Sequence, residues 1–157
     1  MFVRIKKIKG KEYAYLVKNF FSDKGPRQKV IKYIGKVVKP KKLFDQRPNL
    51  KDLNFKEALL EASKAELLNH GFVLENKILR LDDIEVDLEK FEVKQRNNKK
   101  IALFMNEGFF CQENLKSALE LKAKSNFNLV SALLELGLKP NLNEIEYFYH
   151  ALKNEGD

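Results

Sequence analysis

The chain has no tryptophan, a single cysteine and two histidines, and nowhere does it run for about 18 uncharged apolar residues, the length that crosses a bilayer. With Cys111 alone, no intrachain disulfide can form, which fits a reducing compartment. Near the start of a predicted helix its thiol could be acidified, but a small buried hydrophobe is the commoner use of such a cysteine. His70 and His150 belong to no metal-type spacing. His70 reads as a helix-end residue favoured by the dipole, and His150 as a partly buried helix residue. The phosphate-cradling GxxxxGK followed by Ser or Thr, GxGxxG and GxSxG are all missing. No catalytic residue, resident metal or cofactor is therefore expected, and a hydrolytic site assembled only in space is the remaining enzymatic alternative. Lys or Arg interrupts the first residues every few positions, unlike the apolar region of a secretory signal, so the expectation is a cytoplasmic protein with no membrane partner.

What the chain has in excess is cations at one end. Its net charge of +8 combines two segments of opposite sign. Residues 1–42 hold 14 basic residues against only Glu12 and Asp23, and residues 43–157 hold 16 basic against 20 acidic ones. Asymmetry of this kind points to a polyanion-binding arm on a differently employed body. A hydrophobic content of 44% with 12 Phe argues against a disordered chain. The length suits one domain plus an appendage.

Phe2 to Ile8 mixes β-branched residues with Lys and Arg, and Gly10 then supplies a tight reversal. Glu12 to Phe21 is rich in Tyr, Phe, Leu and Val, which suit a pleated sheet. After the turn signal of residues 22–26, Arg27 to Val38 resumes as a third strand, with Val30, Lys32 and Ile34 on one face and Lys29, Ile31 and Tyr33 on the other. This predicts a three-stranded antiparallel meander that leans on the body or on its ligand, since so small a sheet is barely stable alone. It carries Arg4, Lys6, Lys7, Lys9, Lys11, Lys18, Arg27, Lys29, Lys32 and Lys36 among Tyr13, Tyr15 and Tyr33. Cations neutralise phosphates and release counterions, rings can stack, and a β-ribbon is slim enough for a major groove about 12 Å wide. Nucleic acid is the expected partner. The alternatives are an adaptor whose arm docks on an acidic protein or ribosomal surface, and lysines that merely blunt sheet edges.

Within this segment Tyr13-Ala14-Tyr15-Leu16-Val17, then Asp23-Lys24-Gly25, then Arg27-Gln28-Lys29-Val30-Ile31-Lys32-Tyr33-Ile34-Gly35-Lys36 resembles the amino-terminal leader of some insertion-sequence transposases of the DDE type and of related archaeal modules. The resemblance implies a transferable module that contacts nucleic acid. It does not imply transposition, because nothing after residue 42 offers the length or the ribonuclease-H-like carboxylates of that family. Phe20 and Phe21 also stand where the family more often has polar or Arg-containing sequence. Duplex DNA is the first expected ligand and RNA the second.

The sign of the charge changes across a connector, residues 43–53, punctuated by Pro48 and held by Leu43, Phe44, Leu50 and Leu53. Residues 54–157 form the expected body. Asn54 with Glu57 is a capping box, and Gly71 ends a helix over 54–70. Alternation of period two from Phe72 to Phe104 predicts four or five short strands, the last two a closing hairpin of 91–94 with 99–104. Asp83, Glu85, Asp87 and Glu89 alternate with Ile84, Val86 and Leu88. Such a stripe is ordinarily a solvated sheet face, although it could attract a cation or screen the basic arm. Three helices follow: about Gln112 to Lys124, Asn126 to Gly137, and a last one capped by Asn143 with Glu146. They make a small bundle offering a surface for self-association or a protein partner. Five basic against seven acidic residues in 112–157 disfavour a helix-turn-helix among phosphates. The fold class is α+β.

Overall fold

In the computed structural model, which describes residues 1–121 and 126–155, the first three strands are β1 (Phe2–Ile8), β2 (Lys11–Ser22) and β3 (Gly25–Val38). Helix α1 (Phe55–Asn69) precedes β4 (Val73–Glu75), β5 (Ile78–Leu81), β6 (Ile84–Asp87), β7 (Glu92–Gln95), β8 (Ile101–Met105) and β9 (Gly108–Phe110). Helices α2 (Gln112–Leu119), α3 (Asn126–Glu135) and α4 (Leu142–Glu155) close the chain. The class is α+β, with both expected meanders present. Residues 122–124 of the predicted α2, and the side chain of Phe127, lie outside the described residues.

Lys9 and Gly10, both at positive φ, make the two-residue turn that pairs Ile8 with Lys11, the geometry whose twist suits antiparallel strands. Between β2 and β3 the register shifts twice, leaving Ile31 and Ile34 unopposed on β3. These bulges break the simple alternation expected over 29–34. Ile34 is buried while Ile31 stays exposed, and Lys32 lies opposite Leu16.

The sheet continues past the meander. Its strand order is β1-β2-β3-β8-β9, and β3 meets β8 in parallel through Lys36↔Ile101, Val37↔Ala102 and Val38↔Leu103. The remaining strands form a separate antiparallel sheet, β4-β5-β6-β7. The expected closing hairpin of 91–94 with 99–104 is thus corrected: among the described residues the segments are joined only at their turn end, by the bridge Lys94↔Lys100 and the Gln95 amide donating to Lys99 O. The reason is burial on both faces. Ile101, Leu103 and Met105 pack into the main core, whereas Ala102, with Phe104 packed against it, joins a smaller core with Ala14, Ile34, Val37 and Cys111. A strand apolar on both sides suits the interior of a parallel pairing better than a half-solvated hairpin. Gly35 admits this neighbour, because a Cβ there would lie 2.3 Å from the Lys100 carbonyl oxygen.

The main core gathers α1, α3 and α4 over the second sheet and β8, with Phe55 and Phe148 edge to face at 6.1 Å. Asn54 accepts from the Glu57 amide at 2.8 Å as the capping box requires. At the other end Phe72 N donates to Leu67 O and Gly71 N to Leu68 O, with Gly71 at φ 89°, a Schellman stop. The box of α4 is corrected to Asn141 and Glu144, whose backbone amides each donate to the other's side chain. The connector has no regular structure, yet it is pinned. Leu43 and Phe44 amides donate to Asn69 O, the Asn69 side chain bonds Gln46 N and O, and Leu50 is buried. Leu43 and Phe44 side chains stay more than half exposed; backbone bonds, Leu50 and Leu53, which packs against the main core, do the holding expected of them.

Candidate nucleic-acid interface

Cross-strand partners in an antiparallel sheet share a face, so the register sorts the basic meander into two sides. One side carries Val3, Ile5, Ala14 and Leu16 into the smaller core. The other carries Arg4 and Lys6 of β1, Tyr13 and Tyr15 of β2, and Tyr33 and Lys36 of β3. Tyr33 lies 5.3 Å from Tyr15 and 6.3 Å from Tyr13, ring to ring, and Lys6 Nζ stands 5.0 Å over the Tyr15 ring. Arg4 donates to the Gln28 side chain across the sheet. Three rings and three cations thus form one surface, of which Tyr33 is half exposed. Cations beside aromatic faces are the ingredients of backbone contact and base stacking.

Beyond the end of β1, residues 18–22 and 25–29 continue as a bare two-stranded ribbon, since β1 pairs only with 11–17 of β2. All of its side chains from Lys18 to Lys24 and from Pro26 to Lys29 are exposed. Lys18 faces Lys29 across the ribbon and Phe20 faces Arg27, all four on the face of Leu16 and Lys32 and opposite the tyrosines. Lys24, not singled out from the sequence as a contact, sits in the turn. At the opposite end of β2 the Lys9-Gly10 turn holds Lys7, Lys9 and Lys11. The 12 residues of β2 span about 36 Å at 3.3 Å per residue. The expected contact residues are therefore laid along a strip as long as one turn of duplex, about 34 Å, and do not converge on a pocket.

One expected contact is engaged elsewhere. Lys32 turns to the core side, where its Nζ lies 2.9 Å from Glu113 Oε1 of α2, and the adjacent carboxylate holds the ammonium pKa above its usual value. Among the described residues Arg4, Lys6, Lys7, Lys9, Lys11, Lys18, Arg27, Lys29 and Lys36 make no ion pair with a carboxylate. Among the described residues these nine cations stay uncompensated.

Other ionisable groups serve the fold. Glu66, 4% exposed, meets Lys42 Nζ and His70 Nδ1 at 3.3 Å each and accepts from Asn106 at 3.0 Å. Glu144 receives both the Nε and Nη2 donors of Arg47, which also donates to Lys139 O, so the Arg47 guanidinium holds its proton more tightly than usual and pulls Asp45 below the ordinary carboxylate range. The pairs of Glu66 with Lys42 and Asn106, and of Glu144 with Arg47, left no signal in the sequence, as those partners lie far apart in the chain. His70 is buried beside Glu66, whereas His150 is 62% exposed, correcting its expected partial burial. In the acidic stripe Glu85 pairs with Arg80 and Arg96, Asp83 accepts from Gln95, and Asp87 caps the turn at Glu89 and Lys90. Of its two glutamates, Glu85 is thus engaged locally. Among the described residues, no three His, Cys, Asp or Glu side chains are grouped to hold a metal ion, and no helix is long and apolar enough to cross a membrane.

No protein-family model, curated protein or solved structure matches the chain.

Proposed function

We propose that the chain is a non-enzymatic, cytoplasmic nucleic-acid-binding protein whose basic β-meander holds the phosphate backbone. The observation that carries this reading is the run of uncompensated cations from Arg4, Lys6 and Lys36 beside three tyrosines to Lys18, Arg27 and Lys29 on an exposed ribbon, while Lys32, nearer the body, is paired with Glu113. A strip of this length tracks a linear polyanion, and phosphate contacts made along it position the protein without reading sequence. Duplex DNA stands ahead of RNA because the ribbon is narrow enough for a groove and because of the transposase-like leader pattern in residues 13–36. The acidic remainder supports the strip and offers its helices for self-association or protein contact.

Replacing Lys18 and Lys29 by Ser should weaken binding to unrelated duplexes by the same factor and flatten the slope of log K against log salt by about 2, one per lost phosphate contact. Lys32→Ser should change that slope by much less. Unchanged affinity in the double variant, or an equal loss from Lys32→Ser, would count against the exposed strip as the contact surface. Competition by an acidic polypeptide as effective as duplex DNA would favour the adaptor reading instead.

A further inference from the structure

Two features of the ribbon are not explained by phosphate contact. Phe21 is 88% exposed and Phe20 43% exposed on adjacent positions next to the turn. Phe21 lies opposite Pro26 and Phe20 opposite Arg27, with no register shift between them, so the two rings project from opposite faces of the ribbon. Residues 18–29 around them hold four basic residues and one acidic one. Large apolar rings standing free amid cations, at the tip of a slender projection, match an apolar wedge that enters a base stack while flanking charges hold the phosphates.

We infer that Phe21 inserts at a base step of bound duplex DNA, partly unstacking and kinking it, with Lys18, Arg27 and Lys29 on the adjoining backbone. This rests on the nucleic-acid reading above and adds what the tip does there. The geometry favours a groove over a flat anionic lipid surface, because a plane meets one face of a ribbon whereas a groove encloses both, and both faces here carry a ring. A second copy of the chain is disfavoured by the like charge that would be brought together.

The test uses the full-length chain and a short duplex that carries a fluorescent purine analogue, bright when unstacked, together with a donor and acceptor dye at its ends. Wild-type protein should brighten the analogue severalfold and shorten the end-to-end distance, since wedges of this kind bend duplexes by about 20 to 90°. Phe21→Ala should abolish both signals while changing affinity by no more than about threefold, because the unstacking cost disappears along with the contact. The ring touches almost nothing in the free protein, so this change should leave folding intact, as circular dichroism will verify. Phe21→Leu, still apolar, should restore part of the signal.

Wild-type binding with neither signal would overturn the wedge and leave phosphate binding standing, as would signals that persist in Phe21→Ala. No binding to any duplex at low salt would overturn the wedge, and no binding to single strands either would overturn both readings. Binding to phosphatidylserine-containing vesicles in place of duplex, lost in Phe21→Ala, would overturn the wedge by assigning the ring to a lipid surface.

Discussion

Cys111 sits at the N-cap of α2, where a thiol could be acidified by helix amides, yet it makes no side-chain capping bond and is fully buried. Burial pushes its pKa up to about 12 from an ordinary 9.0, so desolvation outweighs the neighbouring amide donors. The unfolded chain loses this proton first as pH rises. Stability from the group is therefore complete below about pH 9 and declines from there towards pH 12, a decline that Cys111→Ala should remove. At neutral pH a thiol reagent should label the native protein at least about a thousandfold more slowly than the urea-unfolded chain; equal rates would show that the thiol is accessible. At this scale legibility followed locality. The buried-hydrophobe reading of Cys111 and the capping role of Asn54 depend on near neighbours and could be read directly. Glu66 and Glu144 could not, because their partners Lys42, Asn106 and Arg47 are brought together only by the fold. The Lys32 side chain was likewise ambiguous: its face depends on two bulges in β3 that nothing in the alternation announces.

The elements were legible where a stop or cap stood alone and ambiguous where two were available. Residues 141–146 read Asn-Leu-Asn-Glu-Ile-Glu, which contains two overlapping capping boxes. Asn141 is the one used, its side chain accepting from the Glu144 amide at 2.9 Å while Asn143 lies inside the helix. Asn141→Ala should cost about 1 kcal/mol of stability and Asn143→Ala no more than about 0.5 kcal/mol, compared as urea midpoints at equal m-value. The reverse order would restore the later cap. Strand β8 illustrates the other limit. Period two marked 101–104 as a strand, but its partner was fixed by long-range burial, and the clue was the unbroken apolar run Ile-Ala-Leu-Phe-Met rather than alternation. The β2–β3 hairpin was legible in its turn and its strands. That its outer half stands clear of β1 follows from unequal strand lengths, seven residues against 12.

For the whole molecule, the basic meander and the body share a sheet through β3 and β8. Removing residues 1–42 would strip the neighbour from a core strand, so truncation would confound binding with folding. Charge substitution on the exposed strip is the cleaner probe. The separation of charge along the chain was visible in composition; that its cations occupy both faces of the outer ribbon, while Glu113 and the smaller core close one face of the inner meander, required the register. The central claim is that this strip binds a polyanion through its phosphates. Its most direct measurement is fluorescence anisotropy of the full chain with labelled duplex DNA, duplex RNA and single strands across a salt series. For five to eight phosphate contacts, log K for duplex DNA should fall against log salt with a slope of about −4 to −7, and reversing Lys18 and Lys29 to Glu should make it shallower. Binding that ignores salt, or no binding to any of these ligands at low salt, would contradict the account.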